Sequence, residues 1–424
     1  MTDKQLKENK KEINDIMYKG ECFEVMDRPI EQGVVVVSLF DGLSGGHIAF
    51  DRVGHIDVLR YYSSEIDKYA IQVADANYPQ DTKYRLGSVT EVDGIKLLSE
   101  IREEFGDIDI VLIGGSPCQG FSMAGKMKGS STACGIDVTS LEQYLRLKAE
   151  NFEFDGQSFL FWEYVRIWKE INPKYFMLEN VRITKKWLPM FNDTMGVEPL
   201  RINSALVSAQ NRPRFYWTNI KDVQQPKDKN IVLLDILQGE VEEKFYLTAK
   251  AIDYMSRLRN GKERWEYHKN PLNGKAACLT ANMYKGVPYG VIRIPTCEKI
   301  ADLDMKGNES IRRIYADYGK SPAMTTMQGG HGQPKIFNYE KEQARKLTPL
   351  ECERGQTLPD NYTECVSNSQ RYKMIGNGWT IDVVAHIFRH IHIQAPVPEM
   401  DDNYFEIAKE RIAKASNDKG LFDE

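Results

Sequence analysis

The chain has little that would tie it to a membrane, to an oxidising compartment or to a phosphate-bearing dinucleotide. No apolar run in its 424 residues approaches the roughly 20 residues needed to span a bilayer. The opening stretch, MTDKQLKENKKEINDIMYKGE, lacks the apolar centre of a secretory signal. Cysteines number seven, scattered and without a CxxC pair, which argues against a disulfide framework and against a zinc site. These absences lead to the expectation of a soluble, cytoplasmic protein with reduced thiols, no membrane partner and no metal. The GxGxxG fingerprint and the Walker lysine are also missing. A net charge of -5 at pH 7 announces no nucleic-acid partner on its own.

What the chain does have is core material: 42% of it is hydrophobic and 28% charged, enough for two or three domains. Residues 1–32 read as a charged N-terminal extension, with Ile13, Ile16 and Met17 at helical spacing. Residues 33–220 alternate strand-like and helix-like segments. GVVVVSLF, DVLRYYSSE, IDIVLIGG and KYFMLENV read as strands, the first and third fully buried. Continuous apolar strands joined by helices imply an α/β fold, a mostly parallel sheet covered on both faces. Residues 221–345 are richer in Gly, Pro, Thr and Asn and read as a smaller, loop-rich domain. Within it, SRLRNGKERWEYHKNPLNGK carries more basic than acidic side chains, with Trp265 and Tyr267 interleaved. On its own that stretch is a solvated face. Residues 346–398 return to regular structure and end in the helix-like GWTIDVVAHIFRHI; 399–424 form an acidic tail.

Four strand ends carry chemistry. SLFDGLSGGHIAFD follows the first strand, and its glycines permit a tight turn and close approach of a ligand to a helix N-terminus. Glu65 ends the second strand, about 20 residues on, where a carboxylate suits a pair of ribose hydroxyls. After the strand IDIVLIGG comes Cys118, stiffened by Pro117 and flanked by glycines. A reachable thiol of lowered pKa is a nucleophile, whereas a lone cysteine is more often packing. MLENV brings Glu179 and Asn180 to the end of another buried strand, where burial would push a carboxyl up toward proton donation near neutrality. QNRPRFYW spaces Gln210, Arg212 and Arg214 alternately, so that a strand would point them to one face.

In order, LFDGLSGG, GGSPCQGFS, LENV, QNRPRF, RKLTPLECERGQTLPDNYT and IGNGWTIDVV resemble the motifs of the bacterial and phage DNA cytosine-5 methyltransferases. The resemblance implies a Rossmann-like S-adenosylmethionine-dependent methyltransferase fold with residues 221–345 as target-recognition domain. It implies Cys118 as nucleophile at carbon 6 of cytosine, Glu179 as the acid at ring nitrogen 3, and Arg212 and Arg214 beside the flipped base. It assigns S-adenosyl-L-methionine to Phe40, Asp41, Gly42, Gly45, Glu65, Ile66, Ser88, Pro117, Asn377 and Trp379. Substrate contacts fall to Gln119, Ser122, Asn180, Gln210, Thr280 and Thr325, and the two threonines read equally well as strand residues. The stretch 120–157 resembles a loop that closes on DNA.

The implied reaction explains the open setting of Cys118, because its partner is a whole base taken out of the stack. The implied partner is double-stranded DNA, and the protein is expected to be a monomer. A cognate restriction endonuclease and an orphan phage role both remain open. The runner-up readings are a tRNA cytosine-5 methyltransferase and a catalytically silent DNA-binding relative. PCQGFS and the large variable region favour DNA, and the presence of both Cys118 and Glu179 favours an active enzyme. The chain departs from the family pattern at Ser44, where a glycine is usual, at Ser88, where an acid is usual, and at Ile66, where a larger side chain is usual. A long insertion also precedes the helix near Ser158.

Overall fold

The run of valines after Gly33 forms the middle of the fold. In the computed structural model, β1 (Gly33–Leu39) is buried along its whole length, which is why no polar residue alternates in it. The structure describes residues 33–117, 121, 131–259, 262–263, 274–285, 289–294, 299–302, 313–315 and 343–392. The charged N-terminal extension, the acidic tail, Cys118, Gln119, Ser122 and Thr325 lie outside the described residues. Residues Val34–His392 cluster as one compact unit.

Seven strands make the main sheet: β1, β2 (Asp57–Ser64), β3 (Arg85–Gly87), β4 (Asp109–Gly114), β5 (Tyr175–Asn180), β6 (Leu200–Asn203) and β7 (Pro213–Thr218). Their order is β3-β2-β1-β4-β5-β7-β6. β1, β4 and β5 are parallel neighbours, and β7 runs antiparallel to both β5 and β6. The chain moves outward from β1 to β3, then returns to the other side of β1 at β4. That reversal opens a crevice at the carboxyl ends of β1 and β4.

Six helices connect these strands: α1 (Gly45–Asp51), α2 (Lys68–Asn77), α3 (Gly94–Phe105), α4 (Leu141–Ala149), α5 (Leu160–Ile171) and α6 (Leu188–Met195). After the sheet come α7 (Ala249–Ser256), a two-stranded pair of β8 (Val291–Ile294) with β9 (Gln343–Lys346), then α8 (Pro349–Gly355), α9 (Asn368–Asn377) and α10 (Ile381–Phe388). The last helix packs beside the first through Phe50 and Phe388, whose rings stack at 4.4 Å. Arg52 and Asp382 pair beside them at 2.5 Å.

Part of the insertion forms regular structure packed on the core. Ser140 caps α4 by accepting from Gln143 N–H, and Val138, Tyr144 and Leu147 are buried in the core beneath the sheet. Residues 131–157 are therefore packed structure. The physical reason is legible in the helix itself: Tyr144 and Leu147 lie three residues apart and share one face.

Candidate active site

The loop after β1 is shaped by two non-glycine residues in the left-handed region, Phe40 at φ 58° and Ser44 at φ 61°. A side chain costs energy there. Ser44 offsets part of it by donating its hydroxyl to Asp41 Oδ2 at 2.7 Å. Asp41 Oδ1 accepts from Ser38 Oγ at 2.6 Å and Tyr61 Oη at 2.7 Å. Burial pushes the Asp41 carboxyl up, and the three hydroxyls hold it down only in part. Asp41 thus turns inward to anchor the loop, and Ser44 stands where glycine is usual because it supplies a bond glycine cannot make.

Glu65 faces this loop. Its Oε2 accepts Gly42 N–H at 2.8 Å, and its Oε1 accepts Ile66 N–H and Asp67 N–H at 2.7 Å each. Ile66 beside it is 71% exposed, the barest large apolar side chain among the described residues. Ser88 Oγ lies 2.8 Å from Thr90 Oγ1. Across the crevice, Lys373 on α9 pairs with Asp67 at 2.7 Å, and Asn377 is exposed at the end of the same helix.

At the end of β4 the chain allows no side chain. A Cβ on Gly115 would lie 3.0 Å from Trp379 Nε1 and 3.1 Å from Glu179 Oε2. Next, Asn180 Nδ2 donates to Ser116 O at 3.3 Å. Phe121 is wholly buried and meets Phe161, Trp187 and Phe191 edge-on. Ser116 and Phe121, which flank Cys118 in the chain, are thus each anchored in the core.

Glu179 sits at the centre. Its Oε1 lies 3.1 Å from Arg214 Nε, with side chains only 12% and 14% exposed. Its Oε2 accepts the Trp379 indole N–H at 3.2 Å. Burial alone would lower the Arg214 pKa, but Glu179, Cys278 and Tyr216 together outweigh it, and the guanidinium is held above its usual range. Glu179 and Arg214 thus form a largely buried ion pair.

Gln210, Arg212 and Arg214 do share one face, and all three meet residues 278–279. Gln210 is buried, takes Leu279 N–H on its Oε1 and donates to Gln356 Oε1 at 2.7 Å. Arg212 is buried and donates to the carbonyls of Leu279, Gly376 and Gly378 at 2.7, 3.2 and 2.8 Å. Burial and then the neighbouring Arg214 charge lower its pKa. Of the residues expected to touch substrate or base, Asn180, Gln210 and Arg212 instead spend their polar atoms on the protein itself. Only Arg214 of the two arginines reaches the carboxylate.

Thr280 is half-buried where the loop crosses α9, and a Cβ on Gly376 would stand 2.6 Å from Thr280 O. Sequence reasoning passed over Cys278, two residues earlier. Its sulfur lies 3.4 Å from Arg212 Nη1 and 3.9 Å from Arg214 Nη2.

Against known proteins, the profile of the C-5 cytosine-specific DNA methylases matches residues 34–187 and 197–392. The chain belongs to this family. It is 25% identical to the orphan methyltransferase M.SPBetaI of Bacillus phage SPbeta, over 84% of this chain and 97% of that one. It is 26% identical to the type II methyltransferase M.HhaI of Haemophilus parahaemolyticus, over 87% and 97%. In fold it resembles the methyltransferase EhMeth of Entamoeba histolytica, with TM-score 0.53 and 14% identity over 85% and 98% of the two chains. It also resembles the Dnmt2 methyltransferase of S. pombe, with TM-score 0.52 and 13% identity over 84% and 97%. The chain is accordingly a DNA (cytosine-5) methyltransferase with a Rossmann-like sheet.

Proposed function

We propose that this methyltransferase flips cytosine from a specific sequence in double-stranded DNA and uses Cys118, Glu179 and Arg214 to activate it. The observation that carries this reading is the meeting of Glu179 with Arg214 at the sheet edge where the Cys118 segment begins. Cys118 thiolate adds to carbon 6 of the base while Glu179 assists at ring nitrogen 3, and carbon 5 becomes nucleophilic. Carbon 5 would then take the electrophilic methyl group as the cofactor's thioether leaves, and loss of the carbon 5 proton to a solvent base and then of the thiolate would restore the aromatic ring. Arg214 holds the Glu179 carboxyl in place through both steps, and Arg212 holds the loop at Leu279 that closes the pocket.

The crevice suits S-adenosylmethionine, which supplies an electrophilic methyl group when bound. The donor set fits such a group, because Gly42 N–H is taken by Glu65 and leaves no backbone cradle there for a phosphate. Glu65 Oε2 has one lone pair left for a ribose hydroxyl, and exposed Ile66 offers an apolar surface to a purine. Phe40, Gly42, Gly45, Ser88, Pro117 and Asn377 would line the same edge.

The test uses purified protein and labelled S-adenosylmethionine with genomic DNA beside bulk tRNA. Label recovered as 5-methylcytosine in DNA is expected, and bisulfite sequencing would then read the target. Label confined to tRNA would move the substrate to RNA. Cys118→Ser is expected to abolish transfer while retaining specific DNA binding, and turnover by that variant would remove Cys118 from its role.

A further inference from the structure

Trp379 occupies a position that neither a cofactor contact nor simple packing accounts for. It follows Gly378 at the end of α9, and Thr380, buried and bonded to Ser204 Oγ and Gln356 Oε1, fixes the backbone on its other side. From there the indole reaches across the carboxyl edge of the sheet. A Cβ on Gly46, in the first turn of α1, would stand 3.6 Å from Trp379 Cζ3. A Cβ on Gly115, at the end of β4, would stand 3.0 Å from Trp379 Nε1. The N–H itself ends on Glu179 Oε2 at 3.2 Å. One side chain thus touches the loop-helix that forms the cofactor crevice, the strand end that leads to Cys118, and the carboxylate on β5.

The chemistry of the contact is specific. An indole N–H donates and never accepts, and it does not titrate in water. It therefore holds the same Glu179 oxygen at every working pH, on the side opposite the Arg214 guanidinium. Glu179 can meet a base edge in one orientation only while both donors are in place. A shift of the ring in the crevice would be transmitted to that orientation directly.

We infer that Trp379 is a positioning residue that orients Glu179 toward the flipped cytosine and couples that orientation to the filling of the cofactor crevice. This rests on the reading of Glu179 as the group that acts on the base. Trp379→Phe keeps most of the ring and removes the N–H. Trp379→Ala removes both.

The experiment measures S-adenosylmethionine affinity and the single-turnover methylation rate at saturating cofactor and DNA, for the wild type, both variants, Glu179→Gln and the double variant Glu179→Gln/Trp379→Phe. Trp379→Phe should bind the cofactor within about twofold of wild type and slow transfer roughly tenfold, the size of one charge-assisted hydrogen bond. Trp379→Ala should lose cofactor affinity as well. The double variant should be no slower than Glu179→Gln, since the N–H then has no acting carboxylate to orient. A wild-type rate for Trp379→Phe, or losses that multiply in the double variant, would overturn the inference. A wild-type rate for Glu179→Gln would instead overturn the role of Glu179 and leave that failure separately visible.

Discussion

Arg214 Nε lies 3.1 Å from Glu179 Oε1 across two antiparallel strands, a diagonal pair, since Glu179 stands directly opposite Tyr216. Neither partner is free to relax into water, so the pair is an element of the site and not surface decoration. Arg214→Ala should leave a largely buried carboxylate without its cation. We expect the single-turnover methylation rate to fall roughly 100-fold, equivalent to about 2.7 kcal/mol, with cofactor affinity little changed. A loss confined to cofactor binding would place Arg214 outside the chemistry.

Why this pair was legible while its neighbours were not follows from what a sequence encodes. GVVVVSLF and IDIVLIGG announce themselves because strands buried on both faces have no polar alternation. Glu179 stands out because a carboxylate at the end of such a run needs a partner. Alternate spacing told correctly that Gln210, Arg212 and Arg214 share a face. It could not tell that Arg212 would spend its guanidinium on three carbonyls from residues 279, 376 and 378, because those partners come from distant chain and carry no side-chain signature. Cys278 was missed for the same reason.

Glu163 is fully buried on α5 and holds three groups together. Tyr144 Oη donates to it, Lys148 Nζ lies at 2.5 Å and Arg166 Nη2 at 2.7 Å. Arg166 in turn reaches Val89 O at 3.2 Å, one residue from Ser88. Removing the carboxylate leaves Arg166 with Glu170 alone, at 2.8 Å, as its acid, and leaves the Tyr144 hydroxyl without its acceptor. Glu163→Ala should therefore cost about 1–3 kcal/mol, read as a lower urea midpoint with unchanged slope. It should also weaken cofactor binding through the Ser88 loop. A stability loss under about 1 kcal/mol would mean that the insertion helix is held by Tyr144 and Leu147 packing alone.

The Asp41 cluster gives a pH dependence with a definite sign. Its folded pKa is raised from an ordinary value of 3.8, chiefly by burial. Between those two values the folded chain holds a proton that the unfolded chain releases. Stability linked to this group therefore rises as pH falls through the folded pKa, and at neutral pH the ionised carboxylate is carried at a cost. Asp41→Asn removes the titration. The unfolding free energy of wild type minus variant should grow more positive as pH is lowered from about 7 toward the ordinary carboxylate range. A difference that stays flat, or shrinks toward acid, would show that the three hydroxyls hold the carboxylate ionised despite its burial.

Gly115 offers the sharpest steric test of the site. Its missing side chain leaves room where Trp379 Nε1 and Glu179 Oε2 approach within 3.0 and 3.1 Å of the Cβ position. A methyl group there must push at least one of them by a few tenths of an ångström. Both are held from behind, Glu179 by Arg214 and Trp379 by its place after the Gly378 turn. The displacement therefore falls on the N–H to carboxylate contact. Fold stability has less at stake, because a small overpacking at a strand end costs only about 1–3 kcal/mol. Gly115→Ala should thus stay folded and lose roughly tenfold or more in single-turnover rate, since reacting groups tolerate little misplacement. Unfolding without a rate defect in the folded fraction would mean that the tight approach serves packing and not catalysis.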